Sequence, residues 1–306
     1  MAINKAMRLA LKALSYSDLD LKKNYKLKRQ LTNVVHPYIK PLYEMWDHKV
    51  SLIDHEIPVR VFFPPEEVAK QKILIFFHGG GWVIGNIDSY TSVCSTMAKL
   101  TGHIVISVDY RLAPEYKFPA APEDCYAVTR EIFGDANLFD VKEKDITLIG
   151  DSAGGNLAAV VSLMARDRGE FLPKQQILLY PSTSSDHSDN SPYASVIDYG
   201  TDYLLTAKRM RDYMDLYISS EEDLKSPYLA PILAKDLSNQ PRTLIITAEY
   251  DPLRDEAEHY GRKLKEFGNE VEIIRMKDAL HGFISLPKHF VHVKRSYTAI
   301  NRFLSE

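Results

Sequence analysis

The sequence of 306 residues predicts an α/β fold in which helices flank a mostly parallel central sheet. Short runs of apolar and β-branched residues, typical of buried strands, alternate with amphipathic stretches of helical periodicity. The alternation is even along most of the chain. It therefore indicates one large α/β unit rather than two smaller domains.

Each element follows from its local pattern. Strands are predicted over residues 59–63, 73–77, 104–108, 146–149, 176–180, 243–248 and 271–276. Helices are predicted over residues 2–14, 18–34, 89–101, 121–133, 156–168, 206–217 and 254–267, with another at the C-terminus. The alternation breaks after Tyr180-Pro181, where residues 182–192 are polar and rich in turn formers. The break predicts an insertion after the strand that ends at Tyr180.

A serine lies in the string Gly150-Asp151-Ser152-Ala153-Gly154, between a predicted strand and a predicted helix. Such a string alone is common in ordinary turns, but the strand–turn–helix context is what a nucleophile elbow requires. The two glycines suit a strained turn that has no room for side chains on either side of the serine. We predict that Ser152 is the nucleophile.

A second glycine cluster, His78-Gly79-Gly80-Gly81-Trp82, follows the apolar run 72–77. A glycine-rich loop leaving a strand can direct backbone N–H groups into a cleft, where they would form an oxyanion hole with the N–H of Ala153. The alternatives are a flexible loop and a core tryptophan. Neither glycine cluster has the lysine and Ser/Thr of a phosphate-binding loop. Trp82 and Asp151 are assigned to the substrate pocket.

A serine nucleophile needs a base and a carboxylate that orients it, in the chain order Ser, Asp or Glu, His. Asp251 follows the strand 243–248 and is the predicted carboxylate, although with Pro252 next it could instead cap the following helix. Glu249 and Asp255 are its rivals. His281 follows the last predicted strand on a glycine-containing loop and is the predicted base.

Together these segments resemble the hormone-sensitive lipase family of α/β-hydrolases, in its bacterial esterase branch. The resemblance extends to residues 108–115, Ser226-Pro227 and residues 251–256, with small departures at Ala257 and Pro231. It implies an α/β-hydrolase fold, a triad of Ser152, Asp251 and His281, and oxyanion donors among Gly79, Gly80, Gly81 and Ala153.

The resemblance also implies a helical cap over the serine. We expect cap helices in residues 1–45, a catalytic core in residues 46–181 and 226–306, and a cap insertion in residues 182–225. The basic residues Lys5, Arg8 and Lys12 leave a surface helix or a membrane-surface helix as alternatives for the N-terminal segment.

The predicted activity is hydrolysis of short-chain acyl esters through an acyl-enzyme intermediate. The alternatives are an amidase or deformylase that uses the same triad, and a non-catalytic ligand-binding member of the fold. No cofactor is expected. The cluster Asp186-His187-Ser188-Asp189 lacks further ligand spacing, so no metal is assigned.

Composition limits the partners. The net charge of −3 gives no electrostatic case for nucleic acid, and no run is long enough to span a membrane. Cys94 and Cys125 cannot build a disulfide framework, and they predict buried thiols in a reducing cytoplasm. The expected partner is a small ester substrate, without stable membrane anchoring. Homodimer formation is left open.

Overall fold

The computed structural model describes residues 11–12, 15, 21–35, 45–65, 72–135 and 141–306. Within them the strands are β1 (Met45–Ser51), β2 (Glu56–Phe62), β3 (Ile73–Phe77), β4 (Ile104–Val108), β5 (Ile146–Asp151), β6 (Gln175–Leu179), β7 (Arg242–Tyr250) and β8 (Val271–Leu280). The helices are α1 (Leu21–Val35), α2 (Thr91–Thr101), α3 (Ala120–Gly134), α4 (Ala153–Arg168), α5 (Ala194–Tyr199), α6 (Ala207–Tyr217), α7 (Arg254–Glu266) and α8 (Val291–Ser305).

The described strands form one eight-stranded sheet in the order β1-β2-β4-β3-β5-β6-β7-β8. The strands from β4 to β8 in this order pair in parallel, whereas β1 and β2 pair antiparallel at one edge. The predicted α/β-hydrolase architecture with a mostly parallel sheet is therefore confirmed.

Hydrophobic cores cover both faces of the sheet, which explains why the central strands are continuous apolar runs. Helices α3, α4 and α7 pack on one face, and α2 and α8 pack on the other. Helix α4 is buried from Ala153 to Ala165. Its glycines and alanines allow it to lie close to the sheet beside the nucleophile strand.

Two elements were not predicted from the sequence. Strand β1 reads MWDHKVS and buries only Val50, because it lies at the edge of the sheet and faces solvent elsewhere. Helix α5 has six residues, too few to show a helical period. The predicted helix over 18–34 corresponds to α1, and most of the one over 2–14 lies outside the described residues.

The carboxyl ends of β3, β5, β7 and β8 meet at one edge of the sheet, where catalytic residues collect in parallel α/β folds. Helix α1 is fastened to the same region from outside the sheet. Its Arg29 donates to the carbonyl oxygens of Val83 (2.7 Å) and Ala113 (2.8 Å) and pairs with Glu115 (2.9 Å). The loop after β3 is therefore tied to α1.

Both cysteines, Cys94 and Cys125, are buried free thiols as predicted. Within the described residues, every helix is too short or too polar to cross a membrane.

Candidate active site

Ser152 lies at the turn between β5 and α4, with the strained dihedral angles φ 55° and ψ −119°. The turn leaves no space for side chains nearby. A Cβ atom on Gly150 would lie 2.1 Å from the carbonyl oxygen of Gly154, and one on Gly154 would lie 1.9 Å from that of Phe77. Only glycine fits at these two positions, and the strain raises the hydroxyl above the sheet edge.

His281 connects the serine to a carboxylate. Its Nε2 lies 2.8 Å from Ser152 Oγ, and its Nδ1 lies 2.7 Å from Asp251 Oδ2. Strand β8 continues to Leu280, four residues beyond its predicted end, so His281 directly follows the strand. The three side chains selected from the sequence thus lie in one hydrogen-bonded chain.

Asp251 is fully buried and has two partners. Oδ2 contacts the imidazole, while Oδ1 accepts the N–H of Leu253 at 2.9 Å at the start of α7. The sequence left orientation of the histidine and capping of the helix as competing roles. In the structure each role uses its own oxygen, so the cap holds the carboxylate in position for His281.

The rival carboxylates are engaged elsewhere. Glu249 Oε2 accepts the N–H of Asp278 at 2.7 Å. Asp255 pairs with Arg254 at 2.8 Å and accepts the N–H of Ser195 at 2.8 Å. Neither contact involves His281.

The loop after β3 lines the same cavity as the serine. Gly80 and Gly81 have positive φ angles of 120° and 61°, and both line the cavity that contains Ser152. Within the described part of the chain, no acceptor pairs with the N–H of either glycine. The N–H of Ala153 lies at the start of α4, where a helix leaves its first amide groups without internal partners.

Gly79 corrects one expectation. Its N–H donates to Asp151 Oδ1 at 2.8 Å and so cannot also face an oxyanion. A Cβ atom at Gly79 would lie 2.7 Å from Asp151 Oδ2, so the close approach requires glycine. Gly79 thus anchors the loop, and of the three glycines only Gly80 and Gly81 have an N–H without an acceptor among the described residues.

Asp151 lines the cavity at its floor and is almost fully buried. Its Oδ2 accepts the hydroxyl of Tyr90 at 3.1 Å, and Tyr180 Oη lies 3.5 Å away. Burial raises the pKa of Asp151 to about 6, and the Gly79 N–H opposes this rise by stabilising the carboxylate. Asp151 therefore holds the glycine loop as well as lining the pocket.

Trp82 also lines the cavity, and its ring stacks in parallel on Tyr217 of α6 at 4.5 Å between centroids. Next to it, a Cβ atom on Gly81 would lie 2.4 Å from the ring of Tyr213. The glycine loop therefore packs directly against α6. This contact forms one wall of the cavity.

The cavity has a volume of about 380 Å³, and most of its apolar lining comes from residues that the sequence did not single out. Six of them belong to the segment that leads into α6 or to α6 itself: Leu204, Leu205, Arg209, Met210, Tyr213 and Met214. The helical period of residues 206–217 was the available signal, but a period alone does not tell which neighbour a helix faces.

The histidine of the 186–189 cluster pairs with a carboxylate from helix α7. His187 Nε2 lies 3.0 Å from Oε2 of the buried Glu256. Among the described residues, no group of three histidine, cysteine or carboxylate side chains is placed to hold a metal ion.

Comparison with known proteins identifies the family. The model of a family with the α/β-hydrolase fold matches residues 74–285. The chain is 36% identical over 249 residues to an arylesterase of Saccharolobus solfataricus, covering 81% of this chain and 79% of that one. It is 33% identical over 235 residues to an ethyl acetate hydrolase of Pseudomonas putida, covering 76% and 73%.

A solved structure agrees with these relatives. An esterase of Pyrobaculum calidifontis superposes with a TM-score of 0.87 at 36% identity, covering 99% of this chain and 98% of that one. The match to the family model, over residues 74–285, includes both glycine strings and the Asp251 and His281 segments. The chain belongs to the hormone-sensitive lipase family of α/β-hydrolases, in its bacterial esterase branch, and is a carboxylic ester hydrolase.

Proposed function

We propose that the protein is a serine carboxylesterase that hydrolyses short-chain acyl esters in two steps through an acyl-enzyme. The observation that carries this proposal is the chain of contacts from Ser152 Oγ through both nitrogens of His281 to Asp251. Such a chain supplies a nucleophile, a base and a group that orients the base.

The buried carboxylate fixes the tautomer of the base. An ionised Asp251 can only accept, so Nδ1 of His281 carries the proton and donates it to Oδ2. Nε2 is then free to accept the proton of Ser152 as Oγ attacks the ester carbonyl. The same Nε2–H returns the proton to the leaving alcohol, and water attacks the acyl-enzyme by the same route.

The N–H groups of Gly80, Gly81 and Ala153 stabilise the negative charge that develops on the carbonyl oxygen. They line the cavity beside Ser152 and are unengaged in the described residues. Gly79 contributes indirectly, because the bond from its N–H to Asp151 holds the His78–Gly79 peptide at the start of the glycine loop.

Residues 182–225 serve as a cap insertion, with residues 1–45 as its N-terminal part and residues 46–181 and 226–306 as the core. Support comes from α6, which forms a wall of the cavity, and from Lys22 of α1, which pairs with Asp215 of α6 at 2.5 Å. A cavity of about 380 Å³ that is bounded on one side by this helix favours short acyl groups over long ones.

A panel of p-nitrophenyl esters and matching p-nitroanilides tests the proposal. Hydrolysis of the esters, with the anilides at least about a thousandfold slower in kcat/KM, supports an esterase. Comparable anilide hydrolysis would identify an amidase with the same triad. Stoichiometric labelling of Ser152 by a small organophosphate must accompany either activity.

We also propose a cytoplasmic location. Two buried, unpaired thiols suit a reducing compartment. Fractionation of cells that express the protein tests this location.

A further inference from the structure

A second cavity lies next to the catalytic cavity and is also about 380 Å³ in volume. Two residues, His187 and Met214, line both cavities. At these residues the wall between the cavities is one residue thick. We call the second space the outer cavity.

Of the two residues in this wall, His187 is held in place and Met214 can change its conformation. His187 is held by Glu256, whose other carboxylate oxygen accepts the N–H groups of Thr183 (2.7 Å) and Ser184 (3.0 Å). Met214 makes no such polar contact, and a methionine side chain is unbranched and changes shape easily. Passage between the cavities therefore depends on Met214.

The two cavities differ in chemistry. Leucine, methionine and aromatic side chains surround the catalytic cavity away from the serine. Six charged side chains line the outer cavity: Lys22, Asp186, Arg211, Asp212, Asp215 and Glu221. Several are already paired, as in the contact of Lys22 with Asp215. The lining holds four carboxylates and two cationic side chains, so it offers both hydrogen-bond acceptors and donors.

We propose that the outer cavity is a second substrate subsite, entered past Met214, for the polar end of an ester chain too long for the catalytic cavity. This inference rests on the proposed esterase function. A methyl end gains little among charged groups, whereas a hydroxyl finds hydrogen-bond partners there. Among esters too long for the catalytic cavity, those with an apolar middle and a polar, hydroxyl-bearing terminus are the ones this subsite favours.

The test compares kcat/KM for two esters of the same chain length, one with a terminal hydroxyl and one without. The probes are the p-nitrophenyl esters of decanoic and 10-hydroxydecanoic acid, and the acetates of decanol and decane-1,10-diol. In at least one pair, the wild-type enzyme should show the higher kcat/KM for the hydroxylated ester. Met214→Ala should raise that preference by about tenfold or more, the size of effect that small changes in a pocket produce.

Met210→Ala is the matched control. Met210 lies one turn earlier on α6, is equally buried and lines the catalytic cavity but not the outer one. Its truncation should leave the preference for the hydroxylated ester at the wild-type value. Met214→Val should raise the preference for the hydroxylated ester less than Met214→Ala does. Titration with diethyl p-nitrophenyl phosphate counts the intact active sites in each variant, so that kcat/KM refers to active enzyme.

Equal preferences in the Met210→Ala and Met214→Ala enzymes would overturn the subsite, as would the absence of a preference in both ester pairs. A failure of the proposed function has another signature: the wild-type enzyme would not hydrolyse p-nitrophenyl butyrate or react with the phosphate ester. The two failures are therefore distinguishable.

Discussion

Replacing Asp151 with asparagine should remove a specific pH dependence of stability. Asp151 is almost fully buried, and burial raises its pKa from 3.8 to about 6 in the folded protein. Between these two pH values the folded chain binds a proton that the unfolded chain has already released. The free energy of unfolding therefore falls as pH rises from about 4 to about 6, and it is flat in this contribution above that range.

The size of the effect follows from the shift. One pKa unit corresponds to about 1.4 kcal/mol, so a rise of about two units costs about 3 kcal/mol once Asp151 is ionised. Asparagine keeps an oxygen for the N–H of Gly79 and never ionises. Its amide nitrogen meets the hydroxyl of Tyr90, which can turn to offer a lone pair.

Urea unfolding of the wild-type and Asp151→Asn proteins at pH 4, 5, 6 and 7 checks this expectation. The difference in unfolding free energy, wild type minus variant, should fall by about 2 kcal/mol across the series, because at pH 4 the carboxyl group of the unfolded chain is already more than half ionised. Other titrating groups, including Asp109, whose pKa burial also raises to about 6, are common to both proteins and cancel. A difference that stays constant with pH would refute the buried ionisation at Asp151.

Four further outcomes are expected. Ser152→Ala should keep the fold and lose ester hydrolysis, and residual kcat above about a thousandth of wild type would exclude Ser152 as the nucleophile. Asp251→Asn should lower kcat by about 10⁴-fold, because it favours the wrong imidazole tautomer. Asp255→Asn should leave kcat within about tenfold of wild type. A larger loss for Asp255→Asn than for Asp251→Asn in steady-state assays would show that Asp255 orients His281. Gly154→Ala should yield little folded protein on expression, because its Cβ would lie 1.9 Å from a backbone carbonyl oxygen, while Gly134→Ala, with nothing within 4 Å, should fold normally. Wild-type kcat/KM should be higher for p-nitrophenyl butyrate than for the palmitate ester, and an optimum at palmitate would contradict an acyl site limited to the cavity of about 380 Å³.

The sequence predicted those parts of the site whose chemistry is local. The elbow needs glycine two residues before and after Ser152, and the spacing of these glycines is visible in one string. Strands that are covered on both faces are continuous apolar runs, so most of the sheet could also be predicted.

What could not be predicted depends on direction and on contacts distant in the chain. Three adjacent glycines look alike in sequence, but only Gly79 meets Asp151, 72 residues later, and so loses its N–H. Orienting His281 and capping the next helix looked like competing roles for Asp251, because a sequence does not show that the two carboxylate oxygens contact different partners. The lining of the cavity depends on which face of α6 turns inward, and this is set by packing against Gly81 and Trp82.

The guanidinium of Arg29 links helix α1 to the loop that carries the glycine cluster. Through one side chain, α1 holds the carbonyl oxygen of Val83, two residues after Gly81, and that of Ala113, whose own N–H donates to the carbonyl oxygen of Trp82. The sheet can therefore be intact while its catalytic loop is not, since the loop also depends on a helix that contributes nothing to strand pairing. We therefore expect a perturbation that undocks α1 to affect activity before it affects the pairing of the strands.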